Sequence, residues 1–435
     1  MKLSKIDLIV TNLRKISTLS PYTKNIISVA FGTIIAQIIP IIASPILTRI
    51  YSPEDYGIFG LYMSIVSISV TLASARFDLA IFIPKNLEDS KRIFVLTILI
   101  STVFSLFLFL LILATKHFSI ISLNLKGLDN WLLTIPFSVF FISLYQNYLH
   151  WLNRIKNFKG LNFLRVLNSF LLSFFNLLLG FFNFKSIGLI ISLMFSYLIM
   201  TVLYFKSVKK LFRNNNFNRI KILIRKYKNF PLYSLPSTLS GEIGTQVPTF
   251  LLIYYFDAAI AGFFILATKM VSIPFSLLGN SIATVYRQEA IYEYNLNGNC
   301  KVLYIKTFQK LLILSILPVL IIMFGSEWFF SIYFGAKWII SGKMASYLSF
   351  LVFFQLLSTP MADTILFVKG QKIDLFLQVF RLIFSILSFV VGGIYQNYEL
   401  AVILYTTTYC IYYIFHLLIQ FKIADGSKLK VFSGY

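Results

Sequence analysis

Apolar residues in this chain are gathered into runs of about 20, the length a helix needs to cross the hydrocarbon core of a bilayer. Twelve such runs lie near 26–48, 57–83, 93–114, 131–150, 163–183, 186–205, 232–254, 259–284, 307–324, 344–367, 374–393 and 400–421. In lipid every backbone N–H and C=O must be paired inside the protein, so runs of this kind form helices. The fold class expected is an all-α integral membrane protein of about twelve transmembrane helices. Only 13% of the residues are charged, about half the share of an ordinary soluble chain. The first run is too long for the apolar region of a signal peptide. It also holds Gln37, Pro40 and Pro45, and is expected to be the first membrane helix.

The net charge of +23 does not point to nucleic acid, because the Lys and Arg residues are parcelled out between the apolar runs. They favour alternate connecting segments. By the positive-inside rule this puts both termini in the cytoplasm and makes the chain a multi-pass protein of a cytoplasmic membrane. Tyr254, Tyr255, Trp328, Trp338, Tyr395 and Tyr398 fall at expected outer ends, and Tyr148 and Trp151 at an inner one. These residues suit the headgroup level.

The segment Lys206 to Lys228 carries nine Lys or Arg together with Asn214, Asn215 and Asn216. It divides the runs into two sets of six. The expected organisation is an N-terminal lobe over 1–205, a basic cytoplasmic linker over 206–230, a C-terminal lobe over 231–421 and a cytoplasmic tail over 422–435. The linker's charge is accounted for by topology and by attraction to anionic headgroups. The lobes show traces of a repeat. A shift of 205 residues lays Gly57, Leu61, Val66, Ser67 and Ile68 on Gly262, Leu266, Val271, Ser272 and Ile273. Two parallel six-helix repeats are related by an axis along the membrane normal, with a central cavity between them.

Charges inside the runs single out candidate functional residues, because a charge at mid-bilayer costs about 2.5–3.5 kcal/mol on insertion scales. Arg76 and Asp78 stand two apart in the second run, where a continuous helix points them to different sides and keeps them from pairing. Lys269, about ten residues into the eighth run, is too deep to snorkel. Arg381 in the eleventh run offers the planar fork that clamps phosphate. These three cations are the candidate substrate contacts. Glu242 lies near mid-bilayer beside Gly241 and Gly244. It is either a coupling carboxylate or the ion-pair partner of Lys269 or Arg381. Asp78 and Asp363 complete the set of candidate coupling or cavity carboxylates, with Asp363 better suited to a structural role. Pro and Gly recur inside the first run of each lobe (Pro40, Pro45, Pro236, Gly241, Gly244 and Pro248), where they allow bending.

Catalytic signatures are absent. There is no P-loop, no HExxH, no CxxC and no GxSxG. Cys300 and Cys410 are far apart, and the histidines have no metal spacing. No catalytic residue, metal or cofactor is expected, and the chain is expected not to be an enzyme. The pattern favours transport.

The stretch LTRIYSPEDYGIFGLYMSIVSISVTLASARFDLAIFIP, Leu47 to Pro84, resembles the start of the bacterial O-antigen and capsular polysaccharide flippases. The motif residues are Thr48, Arg49, Tyr51, Pro53, Asp55, Gly57, Arg76, Asp78, Ala80 and Ile81. A second match runs from Trp151 through Arg154 to Phe158 and Lys159. The resemblance implies the multidrug/oligosaccharidyl-lipid/polysaccharide exporter superfamily, with two lobes around an often cationic cavity. It implies as substrate an undecaprenyl-diphosphate-linked oligosaccharide, moved from the inner to the outer leaflet of the inner membrane. It implies a polysaccharide polymerase and a chain-length regulator as candidate partners, and no nucleic acid. Two further readings stay open. One is an ion-coupled multidrug-type exporter with Glu242 as its coupling group. The other is a polysaccharide polymerase, which would carry a large outer loop that this chain lacks.

Overall fold

A computed structural model describes residues 21–117, 131–212, 217–368 and 371–426, and among them the regular structure is helical throughout. The N-terminal lobe comprises α1 (Pro21–Ile50), α2 (Pro53–Ala73), the single turn α3 (Phe77–Ala80), α4 (Leu87–His117), α5 (Ile135–Arg154), α6 (Phe158–Phe181) and α7 (Lys185–Phe212). A short helix α8 (Phe217–Lys226) follows. The C-terminal lobe comprises α9 (Leu235–Tyr255), α10 (Ala258–Asn297), α11 (Lys301–Phe334), α12 (Ile339–Ser358), α13 (Gln371–Ile394) and α14 (Tyr398–Ala424), with a 3-10 helix Thr359–Val368 after α12. The two-lobe helical fold expected from the apolar runs is the one found. Asn214, Asn215, Asn216 and Lys369 lie outside the described residues, as does the tail beyond 426.

Among the described residues, eleven helical segments are long and apolar enough to cross a membrane. The twelfth expected span is α9, which forms a helix of 21 residues. It falls short on composition, because Glu242, Gln246 and several Ser, Thr and Gly residues interrupt it. The tight hairpin between α6 and α7 forms at Asn183 and Lys185, both with left-handed backbones (φ 58 and 50).

The second expected span, 57–83, is not one helix. Helix α2 ends at Ala73, and Ala75 and Arg76 adopt left-handed backbones (φ 44 and 60) before α3 begins. Its counterpart α10 runs unbroken for 40 residues. The repeat therefore survives at the start of these two helices and is lost further along.

Where it survives, it organises the contact between lobes. Helix α2 begins at a capping box in which Ser52 Oγ accepts from Asp55 N and Asp55 Oδ2 accepts from Ser52 N (3.1 and 2.9 Å). Helix α10 begins at Asp257, whose carboxylate accepts from Ile260 N at 2.8 Å. Residues 52 and 257 are equivalent under the 205-residue shift. Just beyond these caps the helices cross at backbone contact. A Cβ on Gly57 would lie 1.7 Å from the Ala258 carbonyl oxygen, and one on Gly262 would lie 1.9 Å from that of Pro53. Those four positions are also equivalent pairs. The contact is self-complementary, as at a two-fold interface, and it needs glycine because only the absence of Cβ lets backbones approach so closely.

Candidate functional site

The lobes meet firmly at the end that carries the caps of α2 and α10. There the motif around Thr48 to Gly57 proves to be joinery. Arg49 donates to the carbonyl oxygens of Tyr333 (3.1 Å) and Ile332 (3.3 Å) at the C-terminal end of α11. A cation there also complements the helix dipole. Thr48 Oγ1 donates to Phe334 O at 3.0 Å, and Trp338 Nε1 donates back to Thr48 O at 2.9 Å. Lys337 Nζ donates to Tyr51 O at 2.9 Å. Trp338 is fully buried against Tyr56 and Phe263. Its expected place at the headgroup level is thus corrected: the indole pins the two lobes together. Tyr148 and Trp151 are likewise buried in the N-terminal lobe rather than interfacial. Trp328, Tyr254 and Tyr395 are more than two-thirds exposed, as interfacial residues should be.

The remaining motif residues hold the N-terminal lobe together. Asp55 Oδ1 accepts from Ser186 N at 2.8 Å, Tyr51 OH donates to Asn176 O at 2.9 Å, and Pro53 opens α2. At the far end Arg154 donates to Ser90 Oγ at 3.1 Å and to the Pro84 carbonyl. Replacing Arg49 with alanine should lower the stability of the closed junction by about 1–2 kcal/mol, from the lost charge-assisted hydrogen bonds. Thermal unfolding of the purified protein in detergent should show it, and an unchanged midpoint would mean the clasp contributes nothing.

The charged candidates separate into paired and unpaired groups. Because the helix breaks at Ala75 and Arg76, Arg76 and Asp78 lie on one side and form an ion pair at 3.7 Å. This corrects the expectation that they cannot meet. Arg76 also lies beyond the end of the α2 span, not at mid-bilayer. His150 Nε2 approaches Asp78 Oδ2 at 3.5 Å. Arg165 on α6 donates to Thr33 Oγ1 of α1 at 2.9 Å. Sequence reasoning gave Arg165 and His150 no role. The available signal was a cation eight residues into α6. Asp363 pairs with Arg287 of α10, which fits a structural part.

Lys269, Arg381 and Glu242 have no ion-pair partner among the described residues. Lys269 stands on α10 with an exposed side chain. Arg381 is half-buried. Its guanidinium lies over the rings of Tyr409 and Tyr412 at 5.5 and 5.4 Å and faces Gly241 of α9, where an added Cβ would be 3.7 Å away. Cation–π contact of this kind holds an Arg without neutralising it. Glu242 joins neither cation. Its Oε1 accepts from Gln246 Nε2 at 3.0 Å, and Gln246 Oε1 accepts from Ser64 Oγ of the other lobe at 2.8 Å. No group of three or more His, Cys, Asp or Glu suited to a metal occurs among the described residues.

The two flanks of the lobe junction differ. Helix α9 lies along α2, while α1 touches α10 only slightly. The looser flank leaves an apolar groove of about 490 Å³ between α1, α10 and α11, lined by Ile41, Met270, Pro274, Phe329 and Tyr333 among others. Met270 is the chain neighbour of Lys269. On α8, Arg219 binds Asp89 at 2.9 Å, and the carboxylate holds its guanidinium above its ordinary value. Arg92 shares that carboxylate at 2.8 Å, and Ile220 and Leu223 are buried. The basic helix is thus docked on the N-terminal lobe.

Comparison with known proteins agrees with this geometry. The model of a family described as polysaccharide biosynthesis protein matches residues 46–343. No curated protein matches the chain in sequence. Among solved structures, an inward-facing multidrug resistance MATE family transporter of the MOP superfamily aligns with a TM-score of 0.70 at 14% identity, covering 91% of this chain and 96% of that one. The lipid II flippase MurJ in an inward closed conformation aligns at 0.70 and 16% identity, covering 92% and 90%. An outward-facing MATE family transporter aligns less well, at 0.61 and 15% identity over 93% and 96%. These likenesses concern the fold.

Proposed function

The chain belongs to the polysaccharide biosynthesis protein family, and from that premise we infer that this flippase or exporter of the MOP superfamily moves an undecaprenyl-diphosphate-linked oligosaccharide. It works from the inner to the outer leaflet of a bacterial cytoplasmic membrane, by alternating access. Both termini are cytoplasmic in this reading. In this reading the clasped end faces outward and the conformation is an inward-facing one.

The observation that carries the reading is the pairing of two free cations with an apolar side groove. A diphosphate needs positive charge with hydrogen-bond donors, and Lys269 and Arg381 have no carboxylate partner among the described residues. A polyprenyl chain needs an apolar route in contact with lipid, and the groove beside Met270 supplies one. Arg76 stands apart, paired with Asp78 at the inner mouth of the N-terminal lobe, and serves as an outlying contact. The reading makes the protein a transporter, not an enzyme. A polysaccharide polymerase and a chain-length regulator acting at the outer leaflet are its proposed partners.

The test is the sidedness of lipid-linked oligosaccharide in a deletion strain. Single repeat units should accumulate on the cytoplasmic leaflet. Normal polymer would overturn the reading and favour a small-molecule exporter, and unpolymerised units in the outer leaflet would favour the polymerase.

A further inference from the structure

Arg381 has to meet a ligand from the end of a long flexible side chain, and such a side chain binds well only where its surroundings hold it in place. Two rings of α14 lie beneath its guanidinium, Tyr409 at 5.5 Å and Tyr412 at 5.4 Å. Each ring has its own anchor. Tyr409 OH donates to the Gly244 carbonyl of α9 at 3.4 Å. Tyr412 stacks on His416, one turn further along α14, with centroids 5.6 Å apart and an interplanar angle of 17°. All three rings are buried.

His416 is fixed in turn by a network whose donors and acceptors follow from one carbonyl. Gln420 Nε2 lies 3.2 Å from Ser358 O, which can only accept, so the amide turns its nitrogen that way. Its Oε1 then faces Tyr304 OH at 3.3 Å. The same Nε2 lies 2.8 Å from His416 Nδ1, and Ser358 Oγ lies 2.6 Å from that nitrogen. An amide N–H has no lone pair to offer, so Nδ1 is an acceptor and the ring is neutral, with its proton on Nε2. A charged ring would set an N–H against the Gln420 donor and add a second cation beside the tyrosines that hold Arg381. Ser358 closes α12 and Tyr304 belongs to α11, so three helices hold this one ring.

We propose that His416 is a positioning residue for Arg381, acting through the ring of Tyr412. A neutral imidazole suits the task. It is flat enough to stack, it is locked by hydrogen bonds at Nδ1, and it brings no charge to compete with the guanidinium. The purpose of the positioning rests on the reading of Arg381 as a phosphate contact, but the positioning itself does not.

The experiment follows the reactivity of Arg381 towards phenylglyoxal, read by peptide mass spectrometry on the full chain in lipid nanodiscs without oligosaccharide. Arg287, paired with Asp363, is the internal reference. His416→Asn puts an amide oxygen near the place of Nδ1, so Ser358 and Gln420 keep an acceptor while the stack is lost. It should raise the modification rate of Arg381 about three- to tenfold, the scale of a weakened cation–π contact, with Arg287 unchanged. Tyr412→Leu should act at least as strongly, and Tyr412→Phe, which keeps the ring, should match wild type. An unchanged rate at Arg381 in His416→Asn overturns the proposal. So does an equal rise at Arg287, which would make His416 a packing residue only.

Transport then separates the two readings. His416→Asn should lower transport of lipid-linked oligosaccharide about three- to tenfold while Arg381 is present. In an Arg381→Gln background it should add nothing, since the two residues act as one unit, and additive losses overturn the proposal. If phenylglyoxal responds as expected while Arg381→Gln transports normally, the positioning stands and the phosphate reading alone fails.

Discussion

Gly57→Val and Gly262→Val should each prevent the lobes from closing as they do here, with surface polysaccharide reduced to a small fraction of wild type. The crossing of α2 and α10 has no room for a side chain. The obstructing atoms are backbone carbonyl oxygens, 1.7 Å and 1.9 Å from where a Cβ would sit. Side chains can change rotamer to relieve a clash, but a capped helix start cannot. Overpacking usually costs about 1–3 kcal/mol, and a backbone clash belongs at or above the top of that range. This corresponds to roughly a hundredfold or more in the equilibrium between the closed and the parted junction. Because the contact is self-complementary, the two substitutions should act alike, and alanine at either position should show part of the effect. The checks are polymer on the cell surface, the amount of protein in the membrane and the thermal midpoint in detergent. Wild-type values in both valine variants would show that the lobes do not depend on this crossing.

The second large effect concerns the free cations. Lys269→Gln and Arg381→Gln should each reduce transport of lipid-linked oligosaccharide by about 10- to 100-fold, the scale of one charged hydrogen bond to substrate, with insertion unchanged. The double variant should be inactive. Arg381→Lys should not restore activity, because lysine lacks the planar fork that lies over Tyr409 and Tyr412 while presenting donors to a ligand. Arg76→Gln should have a smaller effect, since Asp78 already neutralises Arg76 at 3.7 Å. Full transport by the double variant in proteoliposomes would remove both residues from the substrate path.

Much of this architecture was legible from apolar run length, because lipid allows so few alternatives to a helix. The lobe repeat was legible at Gly57 and Gly262 for a specific reason: backbone contact at a two-fold crossing leaves one residue type at both positions. What could not be read was where a helix stops early. Nothing in Ala73 to Asp78 announces two left-handed residues, and that break turned two charges expected to diverge into a pair. It also brought His150 near Asp78, a pairing no spacing in the sequence indicates. The roles of Arg49 and Trp338 escaped for a related reason. Both have the composition of an interfacial anchor, and only the approach of α11 to α1 shows that they bind each other's lobes. For Glu242 the sequence left two outcomes open, and the geometry excludes the ion pair.

The polar character of α9 has a consequence during synthesis. A helix with a carboxylate, an amide and two prolines within 21 residues partitions poorly into lipid by itself, since each charged residue at its centre adds about 2.5–3.5 kcal/mol to insertion. It must be retained at the insertion machinery until partners shield it. The N-terminal lobe is already made by then, and its Ser64 awaits Gln246, while α10 emerges directly afterwards. The same groups that link the mature lobes, through Gln246 and Ser64, therefore make the entry of its seventh helix depend on order of arrival. Biogenesis of the second half is thereby tied to completion of the first.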